Sequence, residues 1–256
     1  MLAATALVLA AAVAGCATVP AGGSAPSPVD PWENWNRKVF AFNEAIDSAV
    51  LKPVAETYRD VVPRLVRTGV NNVLGNAYDV WSTANHFLQG KVQDGFEMGM
   101  RVLTNTVFGL GGLLDPATEA GLTRRSEDFG QTLGKWGLPQ GPYFVLPLLG
   151  PSTVRDSFGT LVDRQASPSQ LPSADADRYA VTALELVNTR TNLLSAGTLI
   201  DQVALDKYSF IRDGYLSRRR DALYDGAPPL ENFDDEPDNA AVPAALAPKP
   251  AASAPR

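Results

Sequence analysis

Along most of this chain the apolar residues return every third or fourth position, and strand-like alternation is nearly absent. A period near 3.6 belongs to helices with one apolar face, so the spacing predicts an all-α fold. The first stripe is Trp35, Val39, Phe42, Ile46 and Ala49. It is expected to end at Lys52-Pro53, because proline lacks the amide that a helix interior needs. Ahead of it, Asp30-Pro31-Trp32-Glu33 offers an N-cap carboxylate, a proline at the first helical position and a Glu after the cap. Pro63 opens a helix with Val66, Val70, Val73 and Ala77, and a separate one carries Val80 or Trp81, Ala84 and Phe87 before Gly90. Val92, Phe96, Met100, Leu103 and Val107 form the next stripe; Val154, Phe158, Leu161 and Val162 form another. Two longer segments close the pattern. One has Tyr179, Ala183, Leu186, Arg190 and Leu193, and the other Ile200, Val203, Lys207, Ile211 and Tyr215 before Arg218-Arg219-Arg220.

Two apolar stretches break this rhythm. Phe108 to Pro116 is too rich in glycine for a comfortable helix and reads as a loop. Gly141 to Ser152 carries prolines that forbid a regular helix, and it is too short to span a bilayer. An apolar extended loop of this kind must be buried in protein or in lipid. With 256 residues and 45% hydrophobic content the chain can bury one sizeable core, so one domain is the simplest organisation. No internal repeat is visible. The expected boundaries are a signal peptide over 1–15, a flexible Pro/Gly/Ser-rich tether over 16–29, a helical domain over 30–225 and a disordered Pro/Ala-rich tail over 226–256.

The first residues indicate the compartment. Leu2 to Val13 is an apolar run too short to span a membrane, and it leads into Val13-Ala14-Gly15-Cys16, which resembles the lipobox of bacterial lipoproteins. Cys16 would be the acylated first residue after cleavage. The positively charged stretch that ordinarily precedes such a run is missing before Leu2, so the expectation is either a start further upstream or first residues that have been trimmed. Cys16 is the sole cysteine, so no disulfide staples the chain and its stability must come from packing and from membrane partners. Two or three acyl chains, at about 0.8 kcal/mol per buried methylene, suffice for stable anchoring. Ala17, where an Asp favours inner-membrane retention, points to the outer membrane. The net charge of −6 argues against a nucleic-acid partner, since a phosphate backbone demands a basic face.

Little in the sequence suggests catalysis. The single histidine, His86, lies on a helix between Asn85 and Phe87 with no partner in sequence, and is expected to be a core or helix-face residue. The glycine loop lacks the third glycine of a dinucleotide fingerprint, because Leu114 stands there, and no strand precedes it. No cofactor and no metal are expected, and the chain is not expected to be an enzyme. Gly109, Gly111 and Gly112 read either as a hinge that gates a passage or as a static helix-breaking turn. Lys207, Arg212 and the run beginning at Arg218 read either as contacts for lipid phosphates or as the solvated end of a helix. Trp32 suits a headgroup-level belt, whereas Trp35 is expected in the core. Gly95 and Gly99 permit a close helix contact with this chain or with another.

Several motifs together resemble the VacJ/MlaA family of outer-membrane lipoproteins, over roughly Asp30 to Asp225. They include Asp30-Pro31-Trp32-Glu33-Asn34-Trp35-Asn36-Arg37, Leu51-Lys52-Pro53-Val54-Ala55, Phe87-Leu88-Gln89-Gly90 and Arg101-Val102-Leu103-Thr104-Asn105-Thr106. Gly109-Leu110-Gly111-Gly112-Leu113-Leu114-Asp115, Glu127-Asp128-Phe129-Gly130-Gln131-Thr132-Leu133-Gly134-Lys135-Trp136-Gly137 and Gly150-Pro151-Ser152 complete the set. The resemblance implies a helical ring in the inner leaflet of the outer membrane, associated with a trimeric porin and enclosing an amphipathic channel for phospholipid. It further implies that the lipid passes to a soluble periplasmic carrier, which keeps the outer leaflet free of misplaced phospholipid. The alternative is a structural, porin-associated envelope lipoprotein that carries no lipid; a lipid hydrolase would require a nucleophile and base that the sequence does not display.

Overall fold

The computed structural model describes residues 27–229. Cys16, the expected signal peptide, most of the tether and the tail past 229 lie outside the described residues. The element order is α1 (Glu33–Ile46), a π turn (Asp47–Leu51), α2 (Lys52–Val61), α3 (Arg64–Leu88), α4 (Val92–Val107), α5 (Pro116–Glu119) and α6 (Phe129–Lys135). A hairpin of β1 (Tyr143–Leu146) and β2 (Gly150–Thr153) follows, then α7 (Val154–Asp163), two 3-10 turns, α8 (Asp175–Asn192), α9 (Leu194–Val203) and α10 (Lys207–Leu223). The fold is helical, with the hairpin as the one sheet among the described residues.

The contacts between elements close on themselves. The first helix rests on β1, α2 on α8, α8 on α3, α3 on α6, α6 on α10, and α10 on β2, whose partner β1 returns to the first helix. The long pair α3 and α4 lies along one side of this circuit, and α7 backs α6.

Several local expectations are corrected. The first helix does not stop at Lys52-Pro53: a π turn leads directly into α2, where Pro53 sits in the first turn. The wider π turn relieves the clash that proline imposes on the preceding turn, and the first turn requires no amide from it. The stop comes at Val62, extended because Pro63 follows. Asp30 does not cap the first helix, which starts at Glu33 with no side-chain cap. Its carboxylate is fully buried and accepts from Asn36 Nδ2 at 2.8 Å and from the Tyr208 hydroxyl at 2.5 Å. The two helices expected between Pro63 and Gly90 are one, 25 residues long. Conversely, the segment from Ile200 to Tyr215 breaks at Ala204, and Asp206 caps α10 by accepting from Tyr208 N. The apolar loop from Gly141 to Ser152 folds on itself, Tyr143 opposite Thr153 and Leu146 opposite Gly150, so its backbone groups are paired.

The largest correction concerns the interior. Among the described residues only eight hydrophobic side chains are buried, against twenty polar or charged ones, while forty large hydrophobics are exposed. Trp35, expected in the core, is 61% exposed, and Phe42 on the same stripe is exposed with it. In α4 the whole stripe Val92, Phe96, Met100, Leu103 and Val107 faces outward, while Met98, Arg101 and Asn105 face inward. The true apolar nucleus is small: Val39, Tyr143, Val145 and Tyr208, with Phe40, Tyr215 and Leu216 against it.

Candidate functional site

A polar interior requires partners for its buried groups, and the helices supply most of them. In α3 the inward positions Asn76, Asp79, Ser82, Asn85 and His86 recur at helical spacing and meet the irregular segment before α6. Ser82 Oγ donates to the Arg125 carbonyl at 3.0 Å and accepts from Glu127 N at 2.7 Å. Asn85 accepts from the Thr132 hydroxyl at 2.7 Å. His86, 1% exposed, places Nε2 at 3.1 Å from the Arg125 carbonyl, and its buried Nδ1 has no partner. The histidine is therefore a core residue that ties α3 to the segment before α6.

Between α3, α6, α7 and α10 this interior opens into a cavity of about 520 Å³. Asp79, Trp81, Gln131, Asp163, Arg218 and Arg219 are among the residues that line it. Arg219 reaches inward from α10 and binds two carboxylates at once: Nη2 meets Asp128 Oδ1 at 3.0 Å and Asp156 Oδ1 at 2.9 Å, and Nη1 pairs with Asp128 Oδ2. Tyr215 donates to Asp156 at 2.8 Å. Burial pulls the Asp128 and Asp156 carboxyls up, but the Arg219 guanidinium more than offsets it and holds both below the usual carboxylate range. Asp79 accepts from Arg124 Nε at 2.7 Å; burial nonetheless raises it. Asp163 accepts from Trp81 Nε1 at 2.7 Å and from Phe129 N at 2.9 Å, and burial raises it too.

The glycine loop adjoins this network. Gly111 and Gly112 adopt φ of +73° and +91°. A side chain on Gly109 would lie 2.3 Å from the Asn105 carbonyl oxygen, a backbone contact that cannot yield. Gly111 N donates to the Thr106 carbonyl and Gly112 N to the Asn105 carbonyl, both at 2.9 Å. The end of the loop is held by Asp115, which accepts from Asn105 at 2.9 Å and from Arg101 Nη2 at 2.7 Å. Arg101 also lies 3.5 Å from Asp79, so one buried guanidinium links the loop to the cavity wall. Leu110, Leu113 and Leu114 remain exposed.

Of the three candidate headgroup contacts, the structure brings only Arg218 to the cavity. Lys207 pairs with Glu44 and with Asp201 at 2.8 Å. Arg212 pairs with Asp213 at 2.8 Å and lies 3.3 Å from Asp30. Gly95 packs against the Phe87 ring, so the close contact it permits is with α3 of the same chain. The cavity residues Asp79, Gln131, Asp163 and Arg219 were not legible as a site. The available signal was a polar stripe at helical spacing along α3, opposite the apolar one. A second, apolar hollow of about 450 Å³ is lined by Pro53, Val54, Tyr58, Val61 and Val187. Among the described residues no cluster of His, Cys, Asp or Glu is arranged to hold a metal, and no helix is long and apolar enough to cross a membrane.

Known proteins are similar to this chain in sequence and, for one solved structure, in fold. The profile of the family described as MlaA lipoprotein matches residues 28–222. The intermembrane phospholipid transport system lipoprotein MlaA of Escherichia coli (strain K12) is 34% identical over 212 residues, covering 80% of this chain and 81% of that protein. The protein of the same name from Haemophilus influenzae is 31% identical over 234 residues, 87% of this chain and 90% of its own. An uncharacterized protein of Rickettsia typhi is 32% identical over 194 residues, 75% and 77% of the two chains. A solved structure from work on the structural basis for maintenance of bacterial outer membrane lipid asymmetry superposes with a TM-score of 0.65 at 35% identity, covering 76% of this chain and 98% of that one. With the match running from Pro28 to Ala222, through the hairpin and through the helices that line the cavity, the chain belongs to the MlaA lipoprotein family.

Proposed function

We propose that this protein is an outer-membrane lipoprotein, anchored through Cys16 at the periplasmic face, that removes mislocalised phospholipid from the outer leaflet and passes it to a soluble periplasmic carrier. The observation that carries this reading is the inversion of the fold: an apolar exterior over a hydrogen-bonded, ion-paired interior that holds a cavity. An exterior of forty exposed large hydrophobics would be costly in water and is favourable against acyl chains. A polar cavity inside an apolar shell gives a headgroup a route that hydrocarbon denies it. The names of the relatives, which place those proteins in an intermembrane phospholipid transport system, support the same reading.

In this reading a trimeric porin covers part of the apolar exterior, and Gly109, Gly111 and Gly112 form a gate whose position Arg101 reports to the cavity wall through Asp115 and Asp79. The test is the amount of phospholipid in the outer leaflet of cells that lack the gene. The expected result is a rise that the wild type reverses and that Cys16→Ala or a Gly111→Ala, Gly112→Ala double variant does not. No rise on deletion would leave the chain as a structural envelope lipoprotein.

A further inference from the structure

The charges that line the cavity are almost all neutralised from within. Asp79 is matched by Arg124, Glu127 by Lys91, and Asp128 and Asp156 by Arg219. Two residues are left over. Asp163 holds the Trp81 indole N–H and the Phe129 amide, both on Oδ1, and forms no ion pair among the described residues. Arg218 lines the same cavity at its exposed edge and forms no ion pair among the described residues. A third group is also unspent: Gln131, 4% exposed, donates weakly to the Ser126 carbonyl at 3.4 Å, but its amide oxygen is buried in the cavity wall with no donor. A buried acceptor without a partner is costly, and here it stands in the wall that also carries an unneutralised carboxylate.

We propose that the cavity receives a zwitterionic phospholipid headgroup, with a primary ammonium against Asp163 and the Gln131 amide oxygen and a phosphate at Arg218. The three unspent groups complement that ligand in number and sign: one anion and one neutral acceptor for a cation with several N–H donors, and one guanidinium for the phosphate. A headgroup with a phosphate but no amine would satisfy Arg218 and leave Asp163 and Gln131 as they are. The volume of about 520 Å³ lies within the range of small-ligand sites, about 300–1,000 Å³. Burial is the first cause that raises the pKa of Asp163, and its bonds from Trp81 and Phe129 offset that only in part. This inference rests on the phospholipid-handling reading above.

The experiment incubates the full-length, acylated protein in detergent with vesicles of equal phosphatidylethanolamine and phosphatidylglycerol, repurifies it and quantifies bound lipid by headgroup. The expected result is enrichment of the ethanolamine lipid by about tenfold, the worth of one charge-assisted hydrogen bond. Asp163→Asn, which keeps an acceptor for Trp81 and Phe129, should bring the ratio close to one. Gln131→Met should lower the ratio by a smaller factor, and its comparison with the wild type decides the assignment if the Asp163 variant does not fold. Equal binding of both lipids by the wild type overturns the headgroup assignment and leaves phospholipid handling intact. No bound phospholipid at all overturns the functional reading as well. Full displacement of the lipid by soluble glycerophosphoethanolamine would make the ligand a free metabolite and overturn the lipid assignment.

Discussion

The hairpin end of the molecule and the α3–α4 side are built on opposite plans. At the hairpin, Val39, Tyr143, Val145 and Tyr208 pack inward as in any water-soluble protein, and Asn36 stitches the first helix to β1. Along α3 and α4 the inside is Asp79, Asn85, His86, Arg101 and Asn105, and the outside is Val80, Phe87, Phe96, Leu103 and Val107. The first region is held by excluding water from carbon, the second by leaving no buried donor or acceptor without a partner, with few exceptions. The lesson is that an amphipathic helix declares two faces without declaring which is inside. That choice belongs to the medium, and an apolar medium turns the helix around.

The two plans break differently. On the polar side, Arg219→Met removes the ion pair of the half-buried Asp128 and leaves the buried Asp156 with Arg155 alone, and should cost about 3 kcal/mol of stability, the low end for a broken buried pair, read by denaturant unfolding in detergent. The ion pairs of Arg219 with Asp128 and Asp156 also predict a pH dependence. Both carboxyls are held below their unfolded values, so their contribution is complete at neutral pH, persists down to the unfolded value near about 4, and is lost as pH falls further through the folded values. Arg219→Met should flatten that limb of the stability profile.

At the hairpin, Asn36→Ala removes the partners of the Tyr143 carbonyl, the Val145 amide and the Asp30 carboxylate. The expected loss is about 2–3 kcal/mol, and it should appear as early exchange of the hairpin amides, leaving those of α3 and α4 protected. In the loop between the α4 end and α5, Gly111→Ala places a side chain at φ +73° in open space, so backbone strain of about 1–2 kcal/mol is the whole effect. The smallest change should come from the outer face: Leu103→Ser shifts stability in detergent by less than about 0.5 kcal/mol, although the same substitution at a core leucine would cost several times more.

Much of the fold was legible because period is local. The helices at Val92–Val107 and Val154–Asp163 carry complete stripes, and Pro63 and Gly90 bound α3. What escaped was everything that depends on the surroundings. Trp35 and Phe42 lie on the expected stripe but face outward, while Val39 between them is in the core; their spacing is identical whether acyl chains or a protein core lie opposite. Asp30 has the sequence of a cap and the role of a buried acceptor, because its partners Tyr208 and Arg212 come from the far end of the chain. Pro53 looked like a terminus since a π turn has no sequence signature of its own. The cavity was hidden for a similar reason: Asp79, Gln131, Asp163 and Arg219 sit on four different helices, and only Arg218 was marked, by its neighbours in an arginine run.

The central claim is that the apolar exterior of α3 and α4 lies against lipid. Cys16 is the sole native cysteine, so a nitroxide at Leu103→Cys, and separately at Asp175→Cys as a water-exposed control, can be read in outer-membrane vesicles by collision with oxygen and with a water-soluble nickel chelate. The account predicts that oxygen reaches position 103 far better than the chelate does, and that the order reverses at 175; equal access of the chelate to both positions would place the stripe in water and contradict it.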